Sequence, residues 1–435
     1  MTTAPLAPTE EARVFARRIG AAIDRSPGPV HAVLTAVELL RAAGFEPLVE
    51  EEAWTAPPDR WYVVRGGALV AGVAPPTGTD GGFRIVGAHT DSPTLRIKPR
   101  PDTGTAGFRQ LGVEVYGSAL LNSWLDRDLG LSGQVAVLEG QEIRSLPLVI
   151  DRPMLRIPQL AIHLDGEIRD RGLKLDAQRH LAPVWGLGDP REGDLRDHLA
   201  EHLGVAPESV VTWDLGVHDL TPATLAGGDE EFLVSGRLDD LCSVFCAVEA
   251  LTQRLATAAP LEHEPVLCFF DHEEVGSVSA SGAGSELLPG VLGRLAAGRG
   301  IDPDTHAAAL ARSVCISADM AHATHPNHAD RHEPEHPIAC NAGPVIKLNA
   351  NQRYATDARG AAEVVRACRA ASVPHQQFVS RSDLPCGSTI GPITAGRLGV
   401  PTVDVGIAQL AMHSCRETAG SLDPLLLSRM LSAFF

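Results

Sequence analysis

The sequence predicts an α/β fold: an α/β sandwich around a largely parallel or mixed sheet, interrupted by an inserted β-rich domain. Three observations predict it. After residue 233, short apolar runs alternate with helical stretches, the pattern that packs helices onto a sheet. Before residue 98, a helical segment leads into further strand-like runs. Between 99 and 233 the alternation gives way to short strands and many turns. The expected organisation is a first part of the sandwich at 1–98, an insertion at 99–233 and a second part at 234–435. The 435 residues suffice for two or three domain-sized units.

Along the chain, residues 10–45 read as helical. Leu34, Val37, Leu39, Leu40 and Ala43 follow a helical apolar spacing, and Gly44 suits a C-cap. Trp61–Val64 and Arg84–Ala88 read as strands, separated by a Gly/Pro-rich turn at 75–82. In the insertion, Val113–Tyr116, Gln134–Leu138 and Leu146–Ile150 read as strands, and a polar helix is expected near 191–203. Beyond it, Pro265–Phe270, Ser313–Ser317, Val345–Asn349 and Thr402–Gly406 read as strands. Leu241–Ala256 and Ala361–Ala371 read as helices.

Composition narrows the function. A net charge of -17 argues against polyanionic partners, so neither nucleic acid nor an anionic membrane is expected. Met1 to Gly20 has no uninterrupted apolar core of a secretory signal, and no run approaches the roughly 18 residues of a membrane span. The eight cysteines form no C-x-x-C pair. They read as reduced thiols, and the expected location is the cytoplasm. Of the 37 basic residues, 34 are arginine and only Lys98, Lys174 and Lys347 are lysine. Where such a chain keeps a lysine is therefore informative.

Residues suited to binding metal recur where apolar strands end. Arg84–Ala88 runs into His89 and Asp91, Pro265–Phe270 into Glu273 and Glu274, and Ser313–Ser317 into Asp319. Thr402–Gly406 leads toward His413, while Asp239 precedes the helix at Leu241. Sites in open α/β sheets lie outside the carboxyl ends of strands. A set of His and carboxylates without Cys suits zinc, manganese or cobalt. Two such ions can share a carboxylate and a water. If Glu273 and Glu274 lie in an extended segment they point opposite ways, so one can bind metal while the other serves as base.

Longer motifs carry a resemblance. His89-Thr90-Asp91-Ser92-Pro93, Asp271 to Ser277 and Ser317 to His322 resemble the M18 family of metallopeptidases, the aspartyl aminopeptidases. So do Gly343 to Lys347, Asn351 to Ala355, Gly387 to Pro392 and Met412-His413-Ser414. The resemblance implies a metallopeptidase α/β/α sandwich whose insertion serves as a dimerisation and lid domain. It implies two metal ions, zinc first and cobalt or manganese as alternatives. His89, Asp239 and Asp319 would bind one; Asp239, Glu274 and His413 would bind the other. Glu273 would be the general base, and Asp91 would orient the His89 ring. Where the family has Asn after the bridging Asp, this chain has Asp240.

The implied substrates are peptides with N-terminal Asp or Glu, and Lys347 would bind the acidic side chain. The other reading of Lys347 is a structural lysine paired with a carboxylate. Tyr354 and His322 are further substrate-binding candidates. His163 resembles the family's histidine that reaches into a neighbouring subunit's site, which implies a homo-oligomer, typically a dodecamer. The run His322, His325, His328, His332 and His336 has spacing that could pass for a separate zinc tract. The resemblance places no ligand there beyond the preceding Asp319. Two rivals stand beside this reading: a dinuclear aminopeptidase of neutral specificity, and a catalytically silent self-assembling scaffold of the same fold.

Overall fold

A computed structural model describes residues 4–75, 81–257 and 259–435. The chain forms two compact units. One comprises Met1–Asp91, Ala223–Met412 and Glu417–Phe435; the other comprises Ser92–Pro222 and His413–Arg416.

The first unit is an α/β/α sandwich. Its nine-stranded sheet runs in the order Glu46–Pro47, Arg60–Arg65, Ala68–Val73, Glu264–Phe270, Phe83–His89, Val314–Ala318, Thr402–Gly406, Val345–Leu348, Gln376–Val379. The strand Glu264–Phe270 shows why two helical layers form. Leu267 and Phe269 enter one core, shared with helices Glu10–Asp24, Pro29–Ala42, Leu238–Ala256, Ala358–Ala370 and Asp423–Phe434. Val266, Cys268 and Phe270 enter the other, with helix Leu287–Gly298 and the start of Ile390–Leu398. Side chains alternate along a strand, so one that is apolar throughout Pro265–Phe270 must be covered on both faces.

The strand Ala68–Val73 has no counterpart in the sequence reading. All six of its residues are buried, so it lacks the period-two signal of a half-buried strand. The helical reading of 10–45 resolves into two helices, Glu10–Asp24 and Pro29–Ala42. The break falls at Ser26-Pro27-Gly28, and Pro29 then sits at a helix start, where its missing N–H costs nothing. Of the predicted turn at 75–82, residues 76–80 lie outside the described residues.

Four central strands position the site. Glu264–Phe270, Phe83–His89, Val314–Ala318 and Thr402–Gly406 are mutually parallel, with Phe270 beside His89 and Ala318 beside Val405. Their carboxyl ends therefore share one edge of the sheet. Val345–Leu348 runs antiparallel to Thr402–Gly406. A smaller five-stranded sheet of Thr224–Ala226, Phe232–Ser235, Glu417–Gly420, Ala408–Leu410 and Ala321–His322 completes this unit.

The second unit is a six-stranded antiparallel sheet in the order Glu142–Leu155, Leu129–Glu139, Val210–Asp219, Thr94–Thr105, Phe108–Tyr116, Val184–Leu187. Its own core gathers Leu95, Leu111, Leu131, Val135 and Leu148 with Leu195 and Leu199 of helix Asp194–Leu203. Asp102 accepts the backbone N–H groups of Gly193 and Leu195, at 2.8 and 3.0 Å, and so caps that helix. Among the described residues of both units, no helix is long and apolar enough to cross a membrane.

Candidate metal centre

His89 ends its strand and is buried. Its Nδ1 lies 3.0 Å from the backbone carbonyl of Asp91. A carbonyl can only accept, so Nδ1 carries the hydrogen and Nε2 keeps the lone pair. Nε2 lies 3.3 Å from Asp239 Oδ1. With a neutral ring these are two acceptors, and a metal ion or a proton between them satisfies both. Ligand atoms of His89, Asp239 and Asp319 all lie within 4.8 Å of one another, as do those of His89, Glu273 and Glu274.

The neighbouring backbone is shaped for this convergence. Asp319 follows strand Val314–Ala318, and its N–H donates to the Val405 carbonyl at 2.9 Å. A side chain at Gly406 would collide with the Asp319 carbonyl, at 1.9 Å from a Cβ, so only glycine fits there. Asp239 and Asp240 have non-helical backbone at the head of Leu238–Ala256, and the Asp239 N–H donates to Glu417 Oε2 at 3.0 Å. Asp240 instead turns to the His89 backbone, accepting its N–H at 3.1 Å. Asp239, not Asp240, is thus the carboxylate that joins the converging groups. Arg237 and His272 hold left-handed conformations, φ 57° and 65°, just before Asp239 and Glu273. Strained backbone of this kind gathers at functional sites.

The expected extended Glu273–Glu274 segment is corrected here. Glu273–Val275 forms a single 3-10 turn between left-handed His272 and Gly276. Asp91 holds that turn: its Oδ1 accepts the Glu273 N–H at 3.0 Å and its Oδ2 accepts the Glu274 N–H at 3.1 Å. The turn, rather than strand alternation, sets the two side chains, and a carboxylate oxygen of each comes within 4.8 Å of the other and of a His89 ring nitrogen. Asp91 therefore touches His89 chiefly through its carbonyl, while its carboxylate, 3.4 Å from His89 Nδ1, anchors both glutamates.

The electrostatics match a bound cation. Burial, with the charges of Asp319, Asp239 and Asp91, pushes the Glu273 carboxyl up to about 8. Burial and Asp239 likewise raise Glu274 well above the usual carboxylate range. Burial lifts Asp319 to about 6 against the opposing pull of Lys347. Burial alone would lower the His89 pKa, but hydrogen bonds to Asp239 and Asp91 outweigh it and hold it well above the ordinary value. Such crowding of buried carboxylates is unfavourable without positive charge. Oxygen and imidazole donors without thiolate suit divalent zinc, manganese or cobalt. The residues present fit a metal centre.

Around it, Lys347 is only 2% exposed. Its Nζ donates to the Met320 carbonyl at 3.1 Å and lies 3.5 Å from Asp319 Oδ1. It also sits 5.1 Å from the Tyr354 ring centroid. Tyr354 is buried and packs edge-on against Phe378, which the His322 ring also approaches. Among the described residues, the histidine run beyond His322 supplies no converging metal group. His325 Nδ1 accepts the Asn327 N–H and His332 Nε2 accepts the His325 N–H, so these rings brace their own loop.

Two predicted residues belong to the second unit. His413, with φ 68°, places Nδ1 3.1 Å from the Ser118 carbonyl, so the lone pair is on Nε2, as at His89. His163 lies in the exposed turn Ile162–Leu164. All eight cysteines are free.

Sequence reasoning misses two buried acids. Glu417 receives the Asp239 amide, as above. Asp404, 0% exposed, sits in the middle of strand Thr402–Gly406. The available signal is a lone carboxylate inside an otherwise apolar strand, which must find partners to be buried.

Residues 22–435 match the family described as Aminopeptidase I zinc metalloprotease (M18). A probable M18 family aminopeptidase 2 of Streptomyces coelicolor is 51% identical over 415 residues, covering 95% of each chain. A chain in the cryo-EM structure of the Ape4 and Nbr1 complex is 36% identical with a TM-score of 0.93, covering 99% of this chain and 87% of that one. The S. cerevisiae mApe1 dodecamer is 28% identical with a TM-score of 0.84, covering 98% of this chain and 97% of that one.

Proposed function

Because this chain belongs to the M18 family of aminopeptidase I zinc metalloproteases, we propose that it removes aspartate or glutamate from the N-terminus of peptides, using two zinc ions. It is a metallo-aminopeptidase. Within that activity, the observation that carries the acidic preference is Lys347, a buried cation 3.5 Å from Asp319.

His89, Asp239 and Asp319 would hold one ion; Asp239, Glu274 and His413 would hold the other, with Asp239 shared. Two bound ions supply Lewis-acid chemistry, acidifying a water and polarising the scissile carbonyl. Glu273 takes the water's proton and returns it to the leaving amine. Without bound ions, burial and neighbouring negative charge raise its carboxyl to about 8; two bound cations would offset that rise. The Asp91 carboxylate keeps Glu273 and Glu274 in register by fixing consecutive amides. Acidic groups at the centre receive the substrate's free amine, while Lys347, with Tyr354 and His322 nearby, receives the first side chain. Lys347 already faces Asp319, so its charge is shared between that carboxylate and the pocket.

The assembly reading belongs to the same proposal. The turn bearing His163 exposes Leu160, Ile162 and Leu164, the last at 75%. Apolar side chains that open to solvent suit a subunit contact. The protein would act as a cytoplasmic homo-oligomer, with the mApe1 dodecamer as the precedent. Hydrolysis of Asp-, Glu- and Leu-naphthylamides tests the substrate reading. A higher kcat/KM for Asp and Glu supports it, and a clear preference for Leu overturns it.

A further inference from the structure

We propose that Asp404 is a positioning residue for the substrate pocket, clamping three separate segments around Lys347 and Tyr354. This rests on the reading that the Lys347 corner receives the substrate's first residue.

The clamp is visible bond by bond. Asp404 Oδ1 accepts the Ser317 hydroxyl at 2.8 Å and the Thr389 hydroxyl at 2.5 Å. Its Oδ2 accepts the Ala355 N–H at 2.6 Å, and its own N–H donates to Thr356 Oγ1 at 2.9 Å. Ser317 lies two residues before Asp319. Ala355 follows Tyr354. Thr389 caps helix Ile390–Leu398 by accepting the Gly391 N–H at 3.1 Å. A Cβ at Gly391 would fall 2.4 Å from the Asp404 carboxylate, so the acid packs directly on that helix's first turn. Ser388 then donates to the Arg353 carbonyl at 3.1 Å, joining two of the clamped segments again.

Asp404 also feels the charge of the lysine. Val345 pairs with Gly406 and Ile346 with Val405. The pairing ends there, with Lys347 and Asp404 the next residues on the two strands, and the Lys347 charge opposes the rise that burial imposes on the Asp404 carboxyl. Opposite charges on neighbouring strands attract. Thus one wholly buried carboxylate ties together the strand end that leads to Asp319, the segment that carries Tyr354 and the start of helix Ile390–Leu398. Core packing would be served by an apolar residue here; a carboxylate with three donors from three segments specifies their relative positions instead.

The test uses the full chain, loaded with zinc. In Asp404→Asn, the amide cannot accept at both positions, so either the Ala355 N–H or the hydroxyl pair loses its acceptor. KM for the residue class that the wild type prefers is expected to rise about tenfold, the scale of one charge-assisted hydrogen bond, with kcat and metal content retained. Unchanged KM in a folded variant overturns the proposal. So does a joint fall of kcat and metal content at constant KM, which would mean that Asp404 acts on the metal centre. If Asp404→Asn does not fold, Thr389→Val and Thr389→Ser decide. The valine should raise KM and the serine, which keeps the hydroxyl, should restore it; equal KM values overturn the proposal. The acidic preference is judged on the wild type alone, so its failure is separate from failure of the clamp.

Discussion

The carboxylate of Asp91 accepts the backbone N–H of Glu273 at 3.0 Å, and its second oxygen accepts that of Glu274 at 3.1 Å. One residue thus sets the depth of the proposed base and of a proposed ligand. In Asp91→Asn the side-chain NH2 must oppose one of those amides. We expect kcat to fall about ten- to a hundredfold, as for other groups that orient metal ligands. Steady-state kinetics with metal analysis check this, and a variant with full kcat would refute the anchoring role.

Glu273→Gln preserves shape but cannot carry the proton. A loss of kcat on the order of a hundred- to ten-thousandfold is expected, with metal content unchanged. A fully active Glu273→Gln enzyme would remove Glu273 from the proposed chemistry and return attention to its neighbours.

Removal of metal should be felt in stability as well as in activity. Without cations, His89 Nε2 and Asp239 Oδ1 face each other at 3.3 Å amid several buried carboxylates. Ions that bind only the folded chain stabilise it by mass action. Chelation is therefore expected to lower Tm and abolish hydrolysis, and zinc, cobalt or manganese to restore both. Melting curves that ignore chelator would contradict a buried metal centre.

Lys347→Arg tests the choice of lysine in a chain with 34 arginines. Lys347 is 2% exposed and its ammonium already serves Met320 and Asp319. A planar guanidinium needs more room and a different donor geometry. The expected outcome is a drop of about tenfold or more in kcat/KM for acidic substrates, with a smaller drop for Leu substrates, on the scale of one misplaced charged contact. An equal drop for both classes would assign Lys347 to Asp319 alone.

What can be read in advance follows from where each signal resides. His89, Asp319 and the Glu273–Glu274 pair are legible because each follows an apolar run, and strand ends of a parallel sheet share an edge. The role of Asp91 is only half legible. Whether its carbonyl or its carboxylate meets His89 depends on the path of the backbone, which residue spacing does not encode. Asp404 is invisible because its donors lie 87, 49 and 15 residues away. The strand Ala68–Val73 is buried throughout like the legible strands, but Ala68, Ala71 and Gly72 give it little strand preference.

His31 supplies a pH dependence separate from the metal centre. It is buried in helix Pro29–Ala42, and among the described residues neither ring nitrogen has a hydrogen-bond partner. Burial, helped by the nearby Arg237 charge, lowers its pKa from 6.5 to about 4. The unfolded chain therefore binds a proton near pH 6.5 that the folded chain refuses until about pH 4. Stability from this residue is complete above pH 6.5 and is lost as pH falls between those two values. The loss amounts to about 3 kcal/mol by pH 4, since each tenfold change in proton concentration across that window is worth roughly 1.4 kcal/mol. Denaturant melts of wild type and His31→Leu across pH 4 to 7 isolate it, because every other titrating group is common to both. The stability difference between the two should grow in favour of leucine as pH falls. A difference that stays constant with pH would mean that His31 is solvated or paired, and would remove it from the acid response.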